Sequence, residues 1–404
     1  MNKMKVLPKA LLMGLLLAGH GMMTACSDDN DNPSGATDVQ GGGSAVELDA
    51  AANIDYTAAN AASWRNYMLN VAKLLQKDAN TLAESWQTSY DGGAPYAETF
   101  KRHNGGDYTS ASDCVFTIID KCVEITDEVG NTKIGDPYTK WMAGRHTEAL
   151  YAVESWYSFR SREDYSNNIK SIRNSYYGST DNQTISPASL YALMNRVDAD
   201  LNQKVVQGIN EAERTILDIP QPFRNNIGHA TVPVAQTACI ALGELLDKQV
   251  RPALQTAIQQ GKITESQLDE VVATYTDQVI VPTYARLRAN TVLLTAAIQT
   301  FYNNPTNEAF ETACEAWKTA REPWEKSEAF LFGPVDALGL DPNMDSWPLD
   351  QVAIVNILNS GNFDNLDWTD GDDEDKIAAT QEVRGFHTLE FLLFKNGEPR
   401  KVNN

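Results

Sequence analysis

From Val383 to Phe394 the chain is apolar nearly all round a helix: Val383, Phe386, Leu389 and Leu393 make one stripe at helical spacing, and Phe391, Leu392 and Phe394 widen it. Into this segment are set His387 and Glu390, three apart, so one turn of helix stacks an imidazole over a carboxylate. A helix apolar on every side is buried, and it takes its ionisable pair with it. Burying a Glu is costly unless a cation, a metal or a set of hydrogen bonds meets it. The fold must therefore surround this segment with further layers that supply those partners.

The rest of the chain offers helices as those layers. Trp64, Tyr67, Met68, Val71, Leu74, Leu75 and Leu82 recur at helical spacing over 55–88, and no segment alternates convincingly with period two. A helix is predicted over 110–128, and Asp136-Pro137 reads as the start of a new one, with a cap and a first-turn proline. Ser186-Pro187 repeats that signal for a helix to about 219. Long patterns over 230–260 and 264–302 contain Pro252 and Pro282, expected to kink them without ending them. Thr306 caps a helix expected to carry Arg321, Glu325 and Glu328 on one face. The chain is irregular from 333 to 347, and short helices over 349–358 and 374–394 close it. About 360 residues exceed one helical core, so two packed bundles are expected, 46–261 and 262–404.

The N-terminus reads as an export signal over 1–25: Lys3, Lys5 and Lys9, an apolar run from Ala10 to Gly19 too short to span a bilayer, then small residues. Met23-Thr24-Ala25-Cys26 resembles a lipoprotein processing site at which Cys26 is acylated. The acidic Ser27-Asp28-Asp29-Asn30-Asp31 that follows resembles the tract that sends some lipoproteins to the outer surface, and 26–45 reads as a flexible tether. The expected location is the outer membrane, on its periplasmic or cell-surface face. Losing the three signal lysines takes the net charge from −21 to −24. With no basic cluster against that background, nucleic acid is excluded as a partner. Cys114 and Cys122, eight apart on one helix, would lie roughly 12 Å apart, too far to pair. Buried free thiols are expected for them and for Cys239 and Cys314.

Three sequence blocks carry a resemblance. They are Ala316 to Gly333 with Asp345-Ser346-Trp347-Pro348-Leu349; Gly385-Phe386-His387-Thr388-Leu389-Glu390; and Glu154-Ser155-Trp156-Tyr157-Ser158 with Asp164, Asn168-Ile169 and Tyr177-Gly178. Together they resemble the imelysin-like family with its Gly-x-His-x-x-Glu motif. The resemblance implies an all-α fold of two packed four-helix bundles. In the family's usual order the Glu-Ser block comes last, whereas here it precedes the others, which suggests a circularly permuted topology. The family's association with iron uptake implies a site between the bundles for iron, an iron carrier or an envelope uptake partner. His387, Glu390, Arg321 and Glu328 would form one wall, and Glu154, Ser155, Asp164 and Asn168 the other. Arg321 is then the charge that makes burial of Glu390 or Glu328 tolerable.

Three chemistries compete for the His-x-x-Glu pair. A zinc peptidase, the class to which imelysin was once assigned, would use His387 and Glu390 as metal ligands, but a zinc helix ordinarily brings a second His four residues on. Beyond the signal the other histidines are His103, His146 and His229, all remote in sequence. A di-iron bundle needs Glu-x-x-His twice, and the order here is reversed and single. Binding of iron or another divalent metal, without catalysis, is the third. The acidic run from Asp364 to Asp375 lacks the spacing of a calcium loop, and its later members suit a helix N-terminus.

Overall fold

The chain forms eight principal helices: α1 (Ala61–Gln87), α2 (Ala111–Asp127), α3 (Ser161–Tyr177), α4 (Ala199–Leu217), α5 (Val232–Leu245), α6 (Val281–Asn303), α7 (Asn307–Glu325) and α8 (Gly385–Leu393), all but the polar α3 marked by apolar stripes. The computed structural model describes residues 54–105, 108–369 and 371–402. The expected signal, Cys26 and the whole of the expected tether lie outside them. The described residues fall within one compact unit, 43–404, and none of their helices is long and apolar enough to cross a membrane.

Packing follows the stripes but not the order of the chain. Helices α1, α6, α7 and α8 pack on one another, as do α2, α3, α4 and α5, and α3 meets α7 between the two groups. So α1, which comes first, belongs with the C-terminal helices and not with residues up to Gly261. Its Trp64, Tyr67, Met68, Val71, Leu75 and Leu82 are all buried. Each large apolar side chain withdrawn from water contributes about 1.5–3 kcal/mol. Asp55 at the start receives Lys395 at 2.8 Å and Arg400 at 3.2 Å, so the two ends of the described chain lie side by side.

Helix α8 is buried along its whole length and is fixed by donors from its neighbours. Trp64 Nε1 donates to the Leu392 carbonyl at 3.1 Å, and Trp317 Nε1 to that of Phe386 at 2.9 Å. The segment expected to be one helix over 374–394 is broken: Glu374–Gln381 stops, Val383 lends its carbonyl to Tyr67 Oη at 2.8 Å, and a new helix starts at Gly385. Asp373 caps the earlier helix by accepting from Lys376 N at 2.9 Å, which accounts for the end of the acidic run.

Several boundaries differ from the sequence reading for reasons of hydrogen bonding. Asp136-Pro137 does not start a helix afresh, because a π-helical stretch, Glu128–Gly135, carries α2 through to Met142. Pro252 and Pro282 each likewise follow a π-helical turn, at Leu246–Val250 and Thr276–Ile280. A proline has no N–H and crowds the carbonyl four residues back, and a widened turn accommodates both. Ser189, not Ser186, caps its helix, which resets at Asp198 before α4. Helix α7 ends at Glu325, where Ser327 Oγ donates to the Trp324 carbonyl at 2.6 Å, so Glu328 falls in a separate 3₁₀ turn. A hairpin too short to show a period-two pattern pairs Phe394–Lys395 with Glu398–Pro399. Its turn, Asn396-Gly397, has φ of +53° and +81°, the geometry that tight hairpins demand and this residue pair adopts readily. All four cysteines in the described residues are buried and free. Burial pushes the Cys114, Cys122 and Cys239 thiols up to about 12, so they act as small apolar groups.

Candidate functional site

Arg321, near the end of α7, is fully buried and is the hub of the site. Its guanidinium meets Glu154 at 2.8 Å, Glu325 at 2.6 Å, Asp164 at 3.6 Å, and Asp345 in a short contact. These four carboxylates come from a loop, from α7 itself, from α3 and from the segment after Leu340. The sequence reading gave Arg321 the task of compensating Glu390 or Glu328. It compensates neither: Glu390 is held by Ser158, whose N donates at 2.8 Å and whose Oγ donates at 2.7 Å.

His387 lies beside the hub with both ring nitrogens engaged. Nδ1 meets Glu390 at 3.1 Å, and Nε2 meets Asp345 at 3.1 Å and Glu154 at 3.4 Å. Burial and the adjacent guanidinium push its pKa down, but Asp345 and Glu154 more than reverse them. The ring's pKa therefore stays well above its ordinary value, and Nε2 also stands 3.2 Å from Arg321 Nη2. Trp347 stands edge-on to it, with ring centroids 4.8 Å apart.

The glycine of the motif has a steric reason. Gly385 has φ +81°, and a Cβ there would meet the Met344 carbonyl oxygen at 2.4 Å. Only glycine lets α8 approach the segment that delivers Asp345 to His387. The opposing loop is also strained, since Ser155 (φ +54°) and Phe159 (φ +63°) are non-glycine residues in the left-handed region. This turn aims Glu154 at Arg321, Ser155 at Asp164 (Oγ donating at 2.7 Å), and Ser158 at Glu390. Asn168 completes the ring by donating to Glu325 Oε2 at 2.6 Å.

The expected residues thus gather into one network, with the exception of Glu328. That carboxylate stands apart, on the wall of an adjoining cavity of about 520 Å³ that Glu154, Asp345 and Trp347 also line. Seven carboxylates face this cavity against two ammonium groups, Lys133 and Lys140. Lys133 Nζ lies 3.2 Å from Glu154 Oε2. Burial opposes the charge on Glu154, but Lys133 and His387 overrule it and hold the carboxyl at about 2. Burial likewise opposes the charge on Asp345, yet Arg321 and His387 keep it well below the usual range. For Glu325 burial prevails over Arg321 and lifts the carboxyl to about 8, and it lifts Glu328 well above its ordinary value against the pull of Lys133.

Four members were missed as site residues: Glu325, Ser158, Asp345 and Lys133. Asp345 stood in a recognised block but without a role, and Lys133 gave no signal at all, being one lysine in a π-helical stretch. One donor set here could hold a metal ion, Glu154, Asp345 and His387, and it does not include Glu390. Both His387 nitrogens and Glu390 are engaged by protein partners, and the Arg321 guanidinium lies against Glu154, Asp345 and His387. The remaining described histidines are occupied elsewhere: His103 with Asp269, His146 stacked on Trp141, His229 with Thr231.

Comparison with known proteins agrees with the motif. The family model described as imelysin, a peptidase family, matches residues 37–249 and 280–403. A crystal structure of an imelysin peptidase from Bacteroides ovatus is 55% identical, with a TM-score of 0.85, covering 87% of this chain and all of that one. Iron-regulated protein A of Synechococcus elongatus is 35% identical over 138 residues, which is 32% of this chain and only 33% of that protein. The chain therefore belongs to the imelysin family.

Proposed function

We propose that this protein is an iron-related cell-envelope protein that takes iron, or iron presented by a carrier, into the acidic cavity beside the Arg321 network. The observation that carries this reading is the excess of carboxyl groups on the cavity wall, seven including Glu154, Glu328 and Asp345 against the two ammonium groups of Lys133 and Lys140. Carboxylate oxygens suit hard cations, whereas a thiol-poor, imidazole-poor set gives softer metals little. In this reading iron is cargo. His387 and Glu390 orient Asp345 and Glu154 instead of ligating metal, and the site has no catalytic role. The relative named as iron-regulated protein A supports the iron connection, over a third of its length.

The decisive experiment is calorimetric titration of metal-free protein with ferric citrate. Binding should occur and be lost with Glu154→Gln or Asp345→Asn, and a wild-type protein that takes up no iron sinks the proposal. The description of the Bacteroides ovatus relative as a peptidase favours a second reading, zinc-dependent proteolysis at His387 and Glu390. Chelator-sensitive cleavage of an unfolded protein, abolished by Glu390→Gln, would establish that reading instead.

Attachment through an acylated Cys26 to the outer membrane, on either face, belongs to the same proposal. Cys26→Ser should move the protein from the membrane to the soluble fraction. The block order is read as a circular permutation, for which the adjacency of Asp55 and Arg400 supplies a physical basis, since ends that lie together can be joined at little cost.

A further inference from the structure

The acidic cavity does not end at its carboxylates. Tyr151, Trp347 and Pro348 line both this cavity and a neighbouring hollow of about 340 Å³, whose other walls are Leu349, Asp350, Gln351 and Val352. The two ends differ in chemistry. At the acidic end the carboxylates fall into an outer and an inner set: the side chains of Glu128, Asp136 and Glu148 are about half exposed, whereas those of Glu154, Asp345 and Glu328 are almost fully buried. The outer set has only sequence-local partners, Lys133 at 3.5 Å from Glu128, Lys140 at 2.5 Å from Asp136 and Arg145 at 3.0 Å from Glu148. Half-exposed pairs of this kind are weak and exchange partners readily. At the other end stand Pro348, Leu349 and Val352, and Val352 is 62% exposed. Apolar surface beside a hollow, rimmed by polar groups, is the mark of a contact surface. Between the ends Glu328, only 7% exposed, makes no hydrogen bond or ion pair among the described residues, because Lys133 spends its ammonium on Glu154 and Glu128.

We propose that the acidic cavity and the apolar hollow form one docking groove for a polypeptide segment of a partner protein in which basic residues stand beside apolar ones. The basic side chains enter the acidic end, and the apolar ones cover Leu349 and Val352. An inorganic ion would use one end and leave the other unexplained. A lysine or arginine needs no shared ligand sphere: its stem lies along the rings of Tyr151 and Trp347 while its charge meets the outer carboxylates one at a time. Glu154 and Asp345 therefore stay with Arg321, and of the inner set only Glu328 is offered to the tip of a basic side chain. A chain of net charge −21 also draws a basic partner from a distance and turns an acidic one away. The groove is independent of the iron reading, since it leaves the inner network as it is.

The probes are fluorescein-labelled heptapeptides read by fluorescence polarisation. Two carry a Lys-Arg pair next to a Leu-Phe pair, in either order; three controls keep only the basic pair, keep only the apolar pair, or replace the basic pair with Glu-Glu. A mixed peptide should bind the unaltered protein at least roughly tenfold more tightly than any control, and severalfold more weakly when salt is raised from about 0.05 M to about 0.5 M. Asp136→Asn with Glu148→Gln should weaken the mixed peptide roughly fivefold and leave the apolar control unchanged. Val352→Ser should weaken the mixed peptide and leave the basic control unchanged. All three positions are substantially exposed, so the fold does not depend on them, and the comparison among peptides needs no variant. Equal binding of all the peptides, no binding of either mixed one, or unchanged affinity in both variants overturns the proposal. Ferric citrate binding without peptide binding leaves the iron reading standing and overturns this one, and peptide binding without iron does the reverse.

Discussion

Arg321 and Arg384 bury their side chains equally, and both pair with carboxylates, yet the networks around them differ. Arg384 pairs with Asp78 at 2.5 Å and Asp367 at 2.6 Å, and Lys77 reaches Asp367 at 2.7 Å. Two cations meet two anions, and the result is a clasp between α1 and the loop before the last helices. Around Arg321 the carboxyl groups of Glu154, Asp164, Glu325, Asp345 and Glu390 crowd together with Arg321, His387, Lys133 and Arg160, and burial lifts Glu325 to about 8, so that this carboxyl keeps its proton at neutral pH. Buried ion pairs rarely repay their desolvation by themselves, so such a crowd of buried charges is costly for stability. Two members of this set, Glu154 and Asp345, also border the open cavity. The two networks are only three residues apart in sequence, Arg384 and His387, with the turn at Gly385 sending one to each side.

The contrast can be broken most forcefully at Arg321. Arg321→Met should lower unfolding stability by about 3–5 kcal/mol, because four carboxylates lose their shared partner. Adding Glu325→Gln should restore part of that, measured by denaturant unfolding, while iron binding stays lost. Recovery of stability and binding together would reduce the Arg321 network to the same structural role as its counterpart. Arg384→Met should cost less, about 2 kcal/mol, since Asp367 is partly solvated and Asp78 readily takes a proton. Iron binding should be untouched in that variant, and its loss would erase the distinction.

The smallest effect separates the networks by pH. Burial lifts Asp78 to about 6 despite Arg384, so the folded protein holds that proton more tightly than the unfolded chain. Its contribution is fully present below about pH 4 and is lost as pH rises through 6. Glu154, held at about 2, behaves oppositely: its contribution is present above about pH 4.3 and is lost as pH falls toward 2. The pH dependence of the unfolding free energy should therefore flatten between pH 4 and 6 in Asp78→Asn, and below pH 4 in Glu154→Gln, each by on the order of 1 kcal/mol. Identical profiles for the two variants would contradict the assignment.

Helices α3 and α8 differ sharply in how much of their role residue type reveals. In α8 nearly every residue is apolar, so burial follows from composition, and the cost of burying His387 and Glu390 by itself announces a site. Helix α3 is polar by composition, yet Ser161, Asp164, Ser166, Asn168, Ser171, Asn174 and Ser175 are all buried in it. No stripe marks it, because the positions it buries carry Ser, Asn and Asp, some of which bond to one another and to α7. Asn168 donates to Glu325, Ser171 Oγ to the Asn168 carbonyl at 2.6 Å and Ser175 Oγ to that of Ser171 at 2.8 Å.

By itself the sequence determined the helical class, the burial of the Gly-x-His-x-x-Glu segment and most members of the network, because periodicity and buried charge are local properties of residue type. Only the tertiary structure decided that α1 joins the C-terminal helices, that Arg321 pairs with Glu154, Asp164, Glu325 and Asp345, and that Glu328 and Lys133 face an open cavity. Those outcomes depend on charges brought within a few ångströms across more than a hundred residues of chain. Coulomb energy falls with distance in space, and spacing along the sequence says nothing of that distance until the helices have packed.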